Sequence, residues 1–136
     1  KEFERKDIDY CAYAKKDGTP TIKTHYGFWG EGVSTLALEK VCRFTDEPMY
    51  YEHVTNFIYS NPDHFTVYFH EIPNEIEKLE IRLTIDTRED FINASEIFSD
   101  AVKNKIPFEA LSLSNFVIRN DRWMKIMKKG ILLNQK

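Results

Sequence analysis

The chain has 136 residues, a length suited to one compact domain, and 42% of them are hydrophobic, enough for a core and too many for a disordered tract. Its apolar runs, such as residues 65–69, are far too short to span a bilayer, and no apolar leader follows the charged opening Lys1-Glu2-Phe3-Glu4-Arg5-Lys6, so a cytoplasmic protein without a membrane partner is expected. The net charge of −3 is uneven: residues 24–100 hold five Lys/Arg against 15 Asp/Glu, whereas residues 101–136 hold eight against two.

In chain order, Tyr10 to Ala14 and Pro20 to Tyr26 read as extended segments separated by the turn signal Lys16-Asp17-Gly18-Thr19. Gly27, Gly30 and Gly32 crowd together, so the backbone there is expected to bend or to approach something closely. Ser34 is a suitable N-cap for a short helix through Leu36, Leu38 and Val41. Pro48 opens the next helix, with Tyr50, Val54, Phe57 and Ile58 at helical spacing and Ser60-Asn61-Pro62-Asp63 as its stop.

Phe65, Val67 and Phe69 alternate with Thr66, Tyr68 and His70, as a strand does. After a loop at Pro73-Asn74 a second alternating run, Leu79, Ile81, Leu83 and Ile85, predicts a strand that stops at Asp86. Thr87 with Asp90 makes a capping-box pattern, and Phe91, Ala94, Phe98, Ala101 and Val102 give the following helix one apolar face. Pro107 interrupts the chain, and Gly130 is predicted to close a last helix after Trp123 to Lys129. In that basic tail Lys125, Lys128 and Lys129 flank Trp123, Ile126 and Met127, which reads as a solvated helix rather than a nucleic-acid surface. Helices mixed with strands of these lengths indicate an α/β layer architecture.

Asp86 is the most informative polar position. A carboxylate at the end of a strand and before a helix stands where open α/β sheets bind ligands, and Mg²⁺ prefers such oxygen donors. The plainer reading is that it only favours the positive end of the helix dipole. Glu52 and His53, with Thr55 close behind, suit sugar hydroxyls or a carboxylate, and equally a surface pair. His25, His64 and His70 lack ligand spacing, and Cys11 and Cys42 stand too far apart for a zinc pair and read as ordinary buried thiols. No Walker or dinucleotide loop and no Gly-x-Ser-x-Gly elbow is present, so pattern alone leaves the role open.

Several segments together resemble one family. Glu52-His53-Val54-Thr55 through Ile58-Tyr59 looks like its Glu-His-Val-Thr segment, and Arg82-Leu83-Thr84-Ile85-Asp86 through Glu89-Asp90 looks like its Arg-x-Thr-Val-Asp-x-x-Glu-Asp signature. Asp9-Tyr10, then Gly27-Phe28 with Glu31 and Ser34, resemble the strand and glycine turn ahead of them. The family is the cytidylyltransferases of the spore-coat polysaccharide type, relatives of the enzymes that activate acylneuraminates. The resemblance implies the C-terminal half of a Rossmann-like nucleotidyltransferase, a three-layer α/β/α fold with a mixed sheet, spanning residues 1–136 as a single unit.

It further implies transfer of CMP from CTP to an acidic or related sugar with Mg²⁺ assistance, in surface polysaccharide biosynthesis. Asp86 would be the catalytic metal ligand, with Glu31, Glu52, His53 and Arg82 on the sugar side. CTP and the sugar acceptor are the partners it implies, and a homodimer is compatible with it. The family's CTP-gripping loop of glycine and arginine, and its second metal Asp, have no counterpart here, so the chain is expected to be inactive alone. Trp29-Gly30 also departs from the family's usual residues before Glu31. A non-catalytic binding or assembly module that keeps the fold is the alternative.

Overall fold

Strand β1 (Tyr10–Ala14) is the middle strand of a three-stranded mixed sheet in the computed structural model, which describes residues 7–134. The charged run from Lys1 to Lys6 lies outside the described residues. Alternation explains the centre: Tyr10, Ala12 and Ala14 are buried, while Cys11 and Tyr13 between them are half-buried. Strand β2 (Gly32–Val33) pairs antiparallel with β1, and β3 (Val67–Glu71) pairs parallel, from Tyr10 opposite Val67 to Ala14 opposite Glu71. Among the described residues, the strand order is β2-β1-β3. Asp9, just ahead of β1, is buried because its carboxylate accepts from Lys40 Nζ at 3.1 Å and from the Thr66 amide at 3.0 Å.

Seven α-helices among the described residues complete an α/β arrangement compatible with a Rossmann-like fold. Helices α1 (Thr35–Phe44), α2 (Met49–Glu52) and α3 (Val54–Ser60) connect β2 to β3; α4 (Asn74–Glu77), α5 (Arg88–Lys103), α6 (Ala110–Val117) and α7 (Asp121–Leu133) follow. One core cluster joins Tyr10 and Ala12 of β1 to Ala37 and Val41 of α1 and Ile58 of α3. The second joins Ile76, Ile97, Val117, Trp123 and Met127 from α4 to α7, and Tyr13 of β1 packs against it. Each large aliphatic side chain so buried contributes on the order of 2 kcal/mol. No helix among the described residues is long and apolar enough to cross a membrane.

Local signals hold where a side chain answers a nearby backbone group. Ser34 caps α1 by accepting from the Ala37 amide at 3.0 Å, and Thr87 with Asp90 forms the full capping box of α5. The last helix also buries Trp123 and Met127 and exposes its lysines, as predicted.

Other expectations need correction. Pro20 to Tyr26 is not a strand: Pro20 makes one isolated bridge to Ala14, and Thr21–Lys23 coils into a 3₁₀ turn. The helix predicted through Tyr50 and Ile58 is two, because His53 leaves helical geometry at φ −116°, ψ 55°. Met49 and Tyr51 of α2 stay exposed, so burial does not hold α2 in line with α3, whose Ile58 is buried. Residues 79–86 form no strand: the Leu83 and Thr84 amides both turn to the His25 carbonyl, at 2.8 and 3.4 Å, and Arg82 is buried beside Ile81, which breaks the alternation.

Helix α5 buries Asn93, Ile97 and Ala101, whereas Phe91, Phe98 and Val102 of the predicted core face are more than half exposed. Gly130 lies inside α7, and helix α6 was not anticipated. Both cysteines are free, but Cys42 is exposed rather than buried. Gly27 does mark a close approach: at φ +71° it backs onto Leu83, and a Cβ there would lie 2.6 Å from the Leu83 carbonyl carbon.

Candidate functional site

Three residues nominated from the sequence share one cavity. Glu31, Glu52 and His53 line an open pocket of about 630 Å³ together with Ile22, Lys23, Val54, Thr55, Asn56 and Tyr59. That volume suits a small ligand. The local structure explains the convergence. The break at His53 sets Glu52 at the end of α2 and Thr55 in the first turn of α3, while Glu31 arrives immediately before β2.

Glu31 is held from both sides. The buried Tyr10 hydroxyl donates to its Oε1, and the Thr55 hydroxyl donates to its Oε2 at 3.3 Å. Burial first, and the Glu31 carboxylate second, push the Tyr10 hydroxyl above the usual tyrosine range. The Tyr59 hydroxyl is pushed up for the same two reasons. Lys23 sets its ammonium 5.0 Å from the centre of the Tyr59 ring. Tyr10, Lys23 and Tyr59 were not singled out as site residues, and Thr55 was noted only as a neighbour of Glu52 and His53. The sequence placed Tyr10 only in an extended segment, and nothing local ties it to Glu31.

Arg82 and Asp86 do not line this cavity. The Arg82 guanidinium is buried at the N-terminus of α5, where Nε and Nη2 donate to the two carboxylate oxygens of Asp90, each at 2.8 Å. Nη2 also donates to Asp86 Oδ2 at 2.8 Å, and Nη1 meets His25 Nδ1 at 2.7 Å, so that ring nitrogen is the acceptor. Asp90 Oδ2 additionally accepts from the Asp86 and Thr87 amides at 3.1 and 2.9 Å. The bond from Arg82 foremost, offset in part by burial, holds the Asp90 carboxyl well below the usual carboxylate range. Gly130 makes the room: a Cβ there would lie 2.8 Å from Arg82 Cδ.

The described residues do not build a magnesium centre on their own. No three His, Cys, Asp or Glu side chains among them cluster suitably. Asp90 is spent on Arg82 and the helix cap, and the half-exposed Asp86 already carries an arginine on Oδ2. A hard cation usually needs further oxygen donors, which would have to come from outside the described residues.

Two curated relatives match the chain. An uncharacterized protein of Methanocaldococcus jannaschii is 37% identical over 90 residues, which are 66% of this chain and 37% of the relative. The spore coat polysaccharide biosynthesis protein SpsF of Bacillus subtilis is 34% identical over 86 residues, 62% of this chain and 36% of the relative. The chain thus spans little more than a third of the length of these relatives. No protein-family model and no solved structure matches it.

Proposed function

We propose that this chain is the sugar-side, C-terminal portion of a cytidylyltransferase of surface polysaccharide biosynthesis, which transfers CMP from CTP to a sugar hydroxyl. The observation that carries the reading is the convergence of Glu31, Glu52 and His53 in one pocket, since the family resemblance assigns all three to the sugar side. The similarity to a spore coat polysaccharide biosynthesis protein supports it.

In this reading the pocket binds and orients the sugar, and positioning together with charge stabilisation does most of the work of phosphoryl-type transfer. Asp86 is the single carboxylate this chain would bring to a Mg²⁺ site, the other ligands coming from outside the described residues. Arg82 and Asp90 would hold Asp86 and the start of α5 in place.

The test is pyrophosphate release by the full-length native protein with CTP, Mg²⁺ and a panel of sugars. Turnover that depends on a sugar and falls about 10²-fold or more in kcat on Asp86→Asn is expected. No release with any sugar would remove the enzymatic reading and favour a non-catalytic module, which the arginine-paired Asp86 also suits.

A further inference from the structure

We infer that Tyr10 and Thr55 are positioning residues for the sugar: their hydroxyls clamp the two oxygens of the Glu31 carboxylate and fix the direction in which it meets a ligand. The inference rests on reading the cavity as a sugar pocket. It concerns two residues to which the family resemblance gives no role.

The residues nominated for the sugar side are held differently. Glu52 and His53 are exposed at the break between α2 and α3, whereas Glu31 is half-buried. The antiparallel register explains its place: Tyr10 lies opposite Val33 and Cys11 opposite Gly32, so Glu31 stands at the end of that ladder, beside β1. Tyr10 has no solvent exposure, and its ring packs with Ala12, Ala37 and Ile58 and edge-on against Phe69 at 6.1 Å. A phenylalanine would fill the same space. The hydroxyl is the part of Tyr10 that packing does not require, and a buried hydroxyl needs a partner, which Glu31 Oε1 provides.

Thr55 completes the clamp from the first turn of α3, where its half-buried hydroxyl donates to Glu31 Oε2 at 3.3 Å. One carboxylate thus joins β1, the approach to β2 and α3. A donor on each oxygen fixes its plane, and each oxygen keeps a lone pair for a ligand hydroxyl. Ordering the side chain in advance lowers the entropy lost on binding. Burial and the Glu31 charge keep the Tyr10 hydroxyl protonated, so it remains a donor. If Glu31 served only to satisfy Tyr10, then removing the hydroxyl would remove the need and leave sugar binding untouched. A positioning role predicts the reverse.

The experiment is steady-state kinetics of the full-length protein carrying Tyr10→Phe, with Glu52→Gln as the control for the pocket and folding checked by circular dichroism. Tyr10→Phe should raise the KM for the sugar about threefold to tenfold, the worth of one immobilised side chain, with the KM for CTP near wild type. In a Glu31→Gln background it should add nothing, because Tyr10 acts through Glu31. If Tyr10→Phe does not fold, Thr55 decides: Thr55→Val should raise the KM for the sugar and Thr55→Ser, which keeps the hydroxyl, should restore it. An unmoved KM in folded Tyr10→Phe, a rise in both KM values, full additivity with Glu31→Gln, or equal values for the two Thr55 variants overturns the inference. The sugar pocket still stands in each case where Glu52→Gln raises the KM for the sugar. No change in any variant, or no sugar-dependent turnover in the wild type, overturns the inference and the pocket reading together.

Discussion

Arg82 shows how one residue divides between folding and function. Its guanidinium has no solvent exposure, and Asp90, Asp86 and His25 surround it. Removing it leaves the largely buried Asp90 carboxylate with its cap donors alone. Breaking such a pair from one side costs about 3 kcal/mol or more, so Arg82→Ala should lower the unfolding free energy by that amount, and with it the urea midpoint, without any ligand present. An unchanged midpoint would return Arg82 to a purely substrate-binding role.

The same pair sets an acid dependence. The folded-state pKa of Asp90 is depressed, chiefly by Arg82, so the stability it contributes is present above the unfolded carboxyl pKa of about 3.9. That stability is lost as pH falls from there through the depressed folded value. In urea titrations, wild type should weaken more steeply below about pH 4 than Arg82→Ala does, and equal slopes would contradict the assignment.

At the scale of elements, what the sequence made legible depended on how local the cause was. The capping box of α5 was readable because Thr87 and Asp90 answer each other within one turn. The inward face of the same helix was not. Phe91 and Phe98 carry more apolar surface than Asn93 and Ala101, yet the packing of α5 on α6 and α7 turns the smaller residues in. Hydropathy ranks side chains but does not know the shape of the neighbouring helix.

The run of residues 79–86 failed as a strand through equally distant contacts: Arg82 is buried against Gly130 of α7, and the Leu83 and Thr84 amides bond to the His25 carbonyl. These two faces of α5 should differ sharply in stability measurements. Ile97→Ala should cost about 2–4 kcal/mol, whereas Phe98→Ser should stay within roughly 0.5 kcal/mol. A large loss at Phe98 in the full-length protein would mean that this face is covered there.

For the whole molecule, the candidate site was legible as residue types and not as a geometry. Glu31, Glu52 and His53 do meet, although the bend that brings Glu52 and His53 to Glu31 is a helix break that their periodicity had hidden. Asp86 and Arg82 form a second, separate cluster joined to α5. In the proposed reading, the pocket and the carboxylate at the helix start are the two stations that a transferase would bring together around a nucleotide.

Binding of the sugar by the pocket of Glu31, Glu52 and His53, as proposed, can be read from steady-state kinetics of Glu52→Gln in the full-length protein, with the sugar and CTP varied in turn. Removing a charged acceptor of a ligand hydroxyl should raise the KM for the sugar roughly tenfold while the KM for CTP stays near wild type. A rise confined to the KM for CTP would contradict the claim.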